Sequence, residues 1–238
     1  MVNVIAHRGF SAVYPENTLT AFRAAMELAV ESIEFDVHLT ADDELVVIHD
    51  HTLDRTTSGT GAVSQLTLED IQRHNAAAGF DLPAEPVPTL GAVLDLLGGR
   101  TRLNINVKPE NSTRKRLIDG VVKAIGQRDL ADTAYIAGEE ESLRLARQLN
   151  LDAGLCNLDV EPAATLLKRS VAIGCELIQP GHAVVSKDMV TAAHEAGVEV
   201  NVFWADEPAE MRRLISMGVD SILTNRPDVL IAVRKGLG

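Results

Sequence analysis

A chain of 238 residues with 46% hydrophobic and 24% charged residues is long enough to bury a full core and has the make-up of a globular protein. Its formal charge of −12 argues against nucleic-acid and anionic-membrane partners, which need a basic footprint, although a local basic pocket can still hold a phosphate. Two cysteines, Cys156 and Cys175, are too few for a disulfide framework and read as small buried hydrophobes in a reducing compartment. No apolar run approaches the roughly 18 residues of a membrane span. Strand-like sequence from Val2 leaves no room for a secretory signal, so the expectation is a soluble, cytoplasmic protein without stable membrane insertion.

The first strand is expected over residues 2–6. In VIAHRGF (4–10) it runs straight into His7, Arg8 and Gly9, where a plain turn needs only the glycine. A helix follows over 18–30, behind the Asn17-Thr18 start. The second strand, 32–38, contains IEFDVH, in which Ile33, Phe35 and Val37 alternate with Glu34, Asp36 and His38. Period two puts both carboxylates on one face. A third candidate, 45–49, ends VVIHD with His49 and Asp50 at its tip. Residues 51–100 are loop-rich, with TTSGTG and DLPAEPVPTL, up to a short helix at 89–97. The strand at 103–108, in LNINVKP, alternates Leu103, Ile105 and Val107 with Asn104, Asn106 and Lys108.

After a strand candidate at 133–137 the chain acquires a rhythm. AIGCELIQ (172–179), EAGVEVNVF (195–203) and SMGVDSILT (216–224) each show a helix tail, a glycine, an apolar residue, an acid and a short apolar strand. LNLDAGLC (149–156) repeats the beat with Asn150 in place of glycine, and both residue types tolerate the left-handed turn past a helix end. Amphipathic helices are expected at 139–149, 161–173, 186–196 and 207–217. Strands alternating with helices at this spacing indicate βα units and a parallel sheet.

No low-complexity linker splits the chain, so it reads as one domain over 1–238 with a loop-rich insertion around 51–100. The expected fold is α/β, a (β/α)8 TIM barrel of ordinary length. An open doubly wound sheet is the runner-up, without a GxGxxG or GxxxxGK[ST] motif to support it. Nine strand candidates exceed eight by one, and the link from 38 to 45 is too short for a helical crossover. Which candidate stays outside the barrel is open at this level.

Chemistry in such a barrel belongs at the carboxyl ends of the strands, where these polar residues cluster. Glu34 and Asp36, with oxygen-bearing Asn106 on another strand, suit a hard cation, Mg²⁺ or Ca²⁺, better than zinc. Two histidines are then free for proton transfer. Arg8 and Lys108 resemble a clamp for an anion, with Gly9 letting the backbone come close to it. Plainer readings compete residue by residue. His51, His74 and His194 read as structural, His38 and His182 stay open, Glu34 and Asp36 alone fit a solvated strand face, and Lys108 before Pro109 fits a strand end. Their joint placement at strand ends outweighs those readings.

The same residues carry a resemblance to the glycerophosphodiester phosphodiesterases of the bacterial cytoplasmic type, barrel enzymes that release sn-glycerol 3-phosphate from deacylated phospholipids. AHRGF and YPENTLTAF resemble the family's opening signatures, and residues 33–61 follow its longest block. VPTL (87–90), LNINVKP and GVDSILTNRPD (218–228) resemble later motifs. The resemblance implies that His7 and His49 are the acid/base pair, in either order, that Glu34 and Asp36 bind the divalent metal, and that Arg8 and Lys108 contact phosphate. It implies attack by a neighbouring glycerol hydroxyl and a cyclic phosphate opened by water, on a small-molecule glycerophosphodiester. Two departures stand out. Asn106 occupies the place of a usual third metal-binding glutamate, which predicts weaker metal binding. In VNVFWADEP (200–208), Phe203 replaces the usual tryptophan and Trp204 follows it; the two are expected to wall the leaving-group pocket, with packing of one of them in the core as the alternative. The alternatives are a non-catalytic glycerophosphodiester binder with a decayed metal site and a lysophospholipid phosphodiesterase at a membrane. A homo-oligomer remains open.

Overall fold

The computed structural model describes residues 1–149, 152–158 and 161–236; Asn150, in the fourth repeat of the beat, lies outside them. The first strand, β1 (Asn3–His7), is followed by α1 (Leu19–Glu27) and by β2 (Ser32–Leu39). Then come β3 (Leu45–Val47), the short α2 (Leu68–Gln72), α3 (Leu90–Leu97) and β4 (Arg102–Val107). The chain continues through α4 (Arg114–Gly126), β5 (Ala134–Gly138), α5 (Glu140–Gln148), β6 (Gly154–Asn157), α6 (Leu166–Ile173) and β7 (Leu177–Ile178). It ends with α7 (Lys187–Glu195), β8 (Glu199–Val202), α8 (Pro208–Met217), β9 (Ser221–Thr224) and α9 (Pro227–Lys235).

Eight parallel strands, β1, β2 and β4 to β9, close into a barrel because β1 pairs with both β2 and β9. The ninth candidate is β3. It runs antiparallel to β2, with Val37 opposite Val47, and so stands outside the ring. The expectation that 45–49 supplies a barrel strand end is therefore corrected: His49 comes from the loop behind β3. Val46 of β3 and the residues between β3 and α3 form their own apolar cluster, in which Val46, Ile48, Leu53, Val63, Ile71 and Val87 are buried together.

The repeated beat has a physical cause at each of its parts. Gly174 and Gly218 end α6 and α8 in the left-handed region, at φ 82 and 84°. The acids behind them accept an N–H near the start of a neighbouring strand and hold a basic side chain at the same time. Glu176 takes the N–H of Leu155 at 2.8 Å, and Asp220 that of Val200 at 2.7 Å. Glu31 does the same for Val4 of β1 at 2.9 Å while pairing with Arg234. Thr18, Thr89 and Ser186 cap their helices through the third amide. Helices α4 and α9 were not expected from the sequence. Gly120, inside α4, argues against a helix on propensity, yet a Cβ there would meet the Leu45 side chain at 3.1 Å, so the glycine lets α4 lie against β3.

Candidate active site

Register assembles the site. His7, the last residue of β1, lies beside Glu34 of β2, and Asp36 lies beside Asn106 of β4. Arg8 turns the chain in the left-handed region (φ 59°), a strained setting for a non-glycine. It is held there because its N–H donates both to the Glu34 carbonyl and to Glu34 Oε2, each at 3.0 Å. Gly9 follows at φ 81°, and a Cβ on it would lie 2.7 Å from the backbone of Ala21. The glycine is thus required by the approach of α1.

Asp36 and Glu34 are both buried, with very different company. Asp36 has Lys108 Nζ at 3.1 Å, Arg8 Nε at 3.3 Å and Asn17 Nδ2 at 2.9 Å. Burial alone would raise its carboxyl, but Lys108 and Arg8 hold it below the usual range. For Glu34, burial and then the Asp36 charge push the carboxyl up to about 8, against the weaker pull of Arg8 and Lys108. Arg8 and Lys108, expected as phosphate contacts, are both pinned on Asp36, and Arg8 also reaches Glu16 at 2.8 Å. Asn106 sends Nδ2 toward Asp36 Oδ1 at 3.1 Å and Glu34 Oε1 at 3.4 Å.

The two histidines commit their Nδ1 atoms to different partners. His7 Nδ1 lies 2.8 Å from Asn225 Oδ1, and burial, followed by the Arg8 charge, lowers the ring to about 4, so it is neutral at pH 7. His49 Nδ1 lies 2.6 Å from Asp50 Oδ1. Asp50 receives both Nε and Nη2 of Arg55, which in turn grips both oxygens of Glu16. His38 is buried, its Nε2 3.0 Å from the His49 carbonyl and its ring edge-on to His51. It supports the His49 loop from below.

A cavity of about 490 Å³ opens at the mouth, lined by His7, Arg8, Glu16, Phe203, Trp204 and Asn225 among others. Phe203 meets the His7 ring edge-on at 5.4 Å, and Trp204 stacks over it at 6.5 Å with 21° between planes. Asn106 and Lys108 line a second cavity of about 400 Å³ with His51 and Arg114. His49 lines neither.

Residues 7–229 match the glycerophosphoryl diester phosphodiesterase family. The chain belongs to that family. It is 36% identical to a glycerophosphodiester phosphodiesterase of Caldanaerobacter subterraneus subsp. tengcongensis, over 98% of each chain. With one from Bacillus altitudinis it shares 32%, over 99% of each. Among solved structures, a glycerophosphodiester phosphodiesterase from Agrobacterium tumefaciens superposes with a TM-score of 0.86 at 28% identity, covering 98% of this chain and 100% of that one. An Oleispira antarctica phosphodiesterase in complex with the product sn-glycerol-3-phosphate has the same fold, at a TM-score of 0.90 and 24% identity, covering 98% and 96%. The chain is accordingly an enzyme, a glycerophosphodiester phosphodiesterase built on a TIM barrel. Among the described residues no helix is long and apolar enough to cross a membrane.

The donor set in this phosphodiesterase fits a hard divalent cation. Glu34 Oε1 and Asp36 Oδ1 meet at one spot, where Asn106 points its amide nitrogen and would offer its oxygen to an ion once turned over; among the described residues no lysine or arginine side chain pairs with Glu34 to balance a buried charge. Among the described residues no third carboxylate, histidine or cysteine completes the group, which agrees with asparagine at position 106. Several residues that build this site carry no functional expectation from the sequence. Asn17 and Glu16 sit inside the quoted YPENT, Asn225 inside TNRPD, and Asp206 just past Trp204. Asn17 had a visible signal, since an asparagine before a helix cap often takes the left-handed conformation it has here at φ 58°. Arg55 and Asp206 had none, because each has a decisive partner that is remote in the chain, Glu16 and Asn225.

Proposed function

We propose that the phosphodiesterase works by a base at His7 and an acid at His49, with a divalent cation, Mg²⁺ or Ca²⁺, held by Glu34, Asp36 and Asn106. The observation that carries the assignment is the contrast between the Nδ1 partners, a neutral amide for His7 and a carboxylate for His49. A neutral ring with Nδ1–H given to an amide keeps its Nε2 lone pair for the reaction. A carboxylate at Nδ1 stabilises the imidazolium, so a ring so paired can hold a second proton at Nε2 and deliver it from there. The substrate class is a water-soluble glycerophosphodiester. The cationic side chains of Arg8 and Lys108 face its phosphate while Asp36 fixes both in place.

In the first half-reaction the glycerol hydroxyl next to the ester attacks phosphorus as His7 Nε2 takes its proton. The bond to the leaving alcohol breaks as His49 gives that alcohol a proton. The product is a cyclic phosphate, and in the second half the two histidines exchange roles while water opens the ring to sn-glycerol 3-phosphate. The cation, when bound, adds Lewis-acid stabilisation of phosphoryl charge. Phe203 and Trp204 wall the alcohol side. The test is release of glycerol 3-phosphate from glycerophosphocholine and glycerophosphoethanolamine, in EDTA and across Mg²⁺ and Ca²⁺ series. Full activity in EDTA would remove the cation from this scheme; metal-dependent release supports it.

A further inference from the structure

Behind His7 stands a carboxylate that touches neither of its ring nitrogens. Asp206 Oδ2 lies 2.7 Å from Asn225 Nδ2 and 3.0 Å from Trp204 Nε1. Its other oxygen accepts the backbone N–H of Asn225 at 2.8 Å and the Thr224 hydroxyl at 2.9 Å. Burial alone would raise this carboxyl, but these hydrogen bonds, those of Asn225 foremost, hold it below the usual range, so at neutral pH it only accepts. Facing a carboxylate, the Asn225 side chain must present its NH₂, and its carbonyl oxygen is thereby turned to His7. An amide oxygen can only accept, so the proton of neutral His7 must sit on Nδ1. The Ser11 hydroxyl, 2.9 Å from the same amide oxygen and 2.7 Å from the His7 carbonyl, is compatible with that orientation.

We propose that Asp206 is a positioning residue that sets the tautomer of His7 through the Asn225 amide and, from the same oxygen, holds the Trp204 indole over the His7 ring. The inference rests on the reading of His7 as the base, because only the Nδ1–H tautomer offers a lone pair at Nε2. One side chain thus orients both the proton acceptor and a wall of the leaving-group cavity. Without it the amide could turn over, donate to Nδ1 and leave His7 with its proton on the nitrogen that must receive one.

Asp206→Asn gives a sharp test because it is isosteric. The backbone N–H of Asn225 requires the new amide oxygen at the Oδ1 position, so the new NH₂ faces Asn225 and forces it to flip. Long-range ¹H–¹⁵N correlation spectra of the full chain, labelled with ¹⁵N-histidine and kept in EDTA, read the tautomer; His7 is the signal missing from His7→Gln. The wild type is expected to be Nδ1–H and Asp206→Asn to be Nε2–H. The exchange Asp206→Asn/Asn225→Asp is expected to return Nδ1–H, and Trp204→Phe, which removes the indole and its N–H but leaves the Asp206–Asn225 pair, to keep it. Turnover of Asp206→Asn should fall about 10–100-fold through kcat, the usual effect of losing a group that orients a functional histidine. An Nε2–H His7 in the wild type, or an Nδ1–H His7 in Asp206→Asn, overturns the proposal. If that variant does not fold, Asn225→Ala is read instead, and an unchanged tautomer there overturns it too. Near-wild-type turnover of His7→Gln overturns the catalytic reading beneath it, whatever the tautomer.

Discussion

Asn106 presents its amide nitrogen to Asp36, 3.1 Å from Oδ1, where a metal-binding side chain would present oxygen. Two carboxylates and one neutral amide give a divalent cation less charge than three carboxylates would. Asn106→Glu is therefore expected to bind Mg²⁺ or Ca²⁺ at least about tenfold tighter in calorimetric titration. The same variant, measured in EDTA, should melt lower, because a third carboxylate joins two that already repel. Its melting temperature should then rise more on adding metal, since the ion binds only the folded state. Equal affinities for the two proteins would mean that residue 106 is not a ligand.

The different partners of His7 and His49 separate their roles experimentally. His7→Gln and His49→Gln should each lower turnover of glycerophosphocholine by about 10² or more. A glycerophosphodiester of p-nitrophenol needs no proton to release its alcohol. With that substrate the His49→Gln deficit should shrink to within about tenfold of wild type, while His7→Gln stays as slow as before. If His7→Gln is the variant that recovers, the assignment is reversed.

The strand faces were legible in the sequence because period two is local: Glu34 with Asp36, and Asn104 with Asn106, share faces for reasons of backbone geometry alone. The repeat of glycine and acid announced the parallel barrel for the same reason. What stayed hidden depends on distant pairs. Asp206 sets the His7 tautomer through Asn225, which lies 218 positions from His7 in the chain, and Arg55 reaches Glu16 across 39. Helix α4 was hidden differently, since Gly120 opposes the helix locally and is needed only because Leu45 packs there. The short link from 38 to 45 already spoke against a parallel neighbour, but only the pairing of β3 with β2 shows which candidate leaves the ring.

Two glycines with similar backbone angles should respond differently to alanine. Gly9 has φ 81° and no room for a Cβ, which would sit 2.7 Å from the Ala21 backbone. Gly197 has φ 73° and nothing within 4 Å of a Cβ. Gly197→Ala then carries only the left-handed penalty of about 1 kcal/mol. Gly9→Ala adds a clash with backbone that cannot move without shifting α1, for roughly 3 kcal/mol in all. Urea unfolding of both variants checks this, and equal losses would mean that α1 yields to the added methyl.

His38 should make the fold sensitive to mild acid. Burial lowers its ring to about 4, outweighing the hydrogen bond to the His49 carbonyl; His51 and Lys108 disfavour the charge and Asp36 favours it. The unfolded chain takes up this proton near the ordinary value of 6.5, and the folded chain only near 4. Between those values the unfolded state holds more protons, so stability is complete above pH 6.5 and falls as the pH drops toward 4. One such histidine removes about 2 kcal/mol between pH 7 and pH 5. His7, lowered for the same main reason, acts in the same direction, so the difference between wild type and His38→Gln isolates the His38 share. The variant is expected to be less stable than wild type at pH 7, through loss of the support under His49, and to lose less on going to pH 5. Parallel losses in the two proteins, read from urea midpoints at both pH values, would show that His38 takes up its proton in the folded state as readily as in the unfolded one.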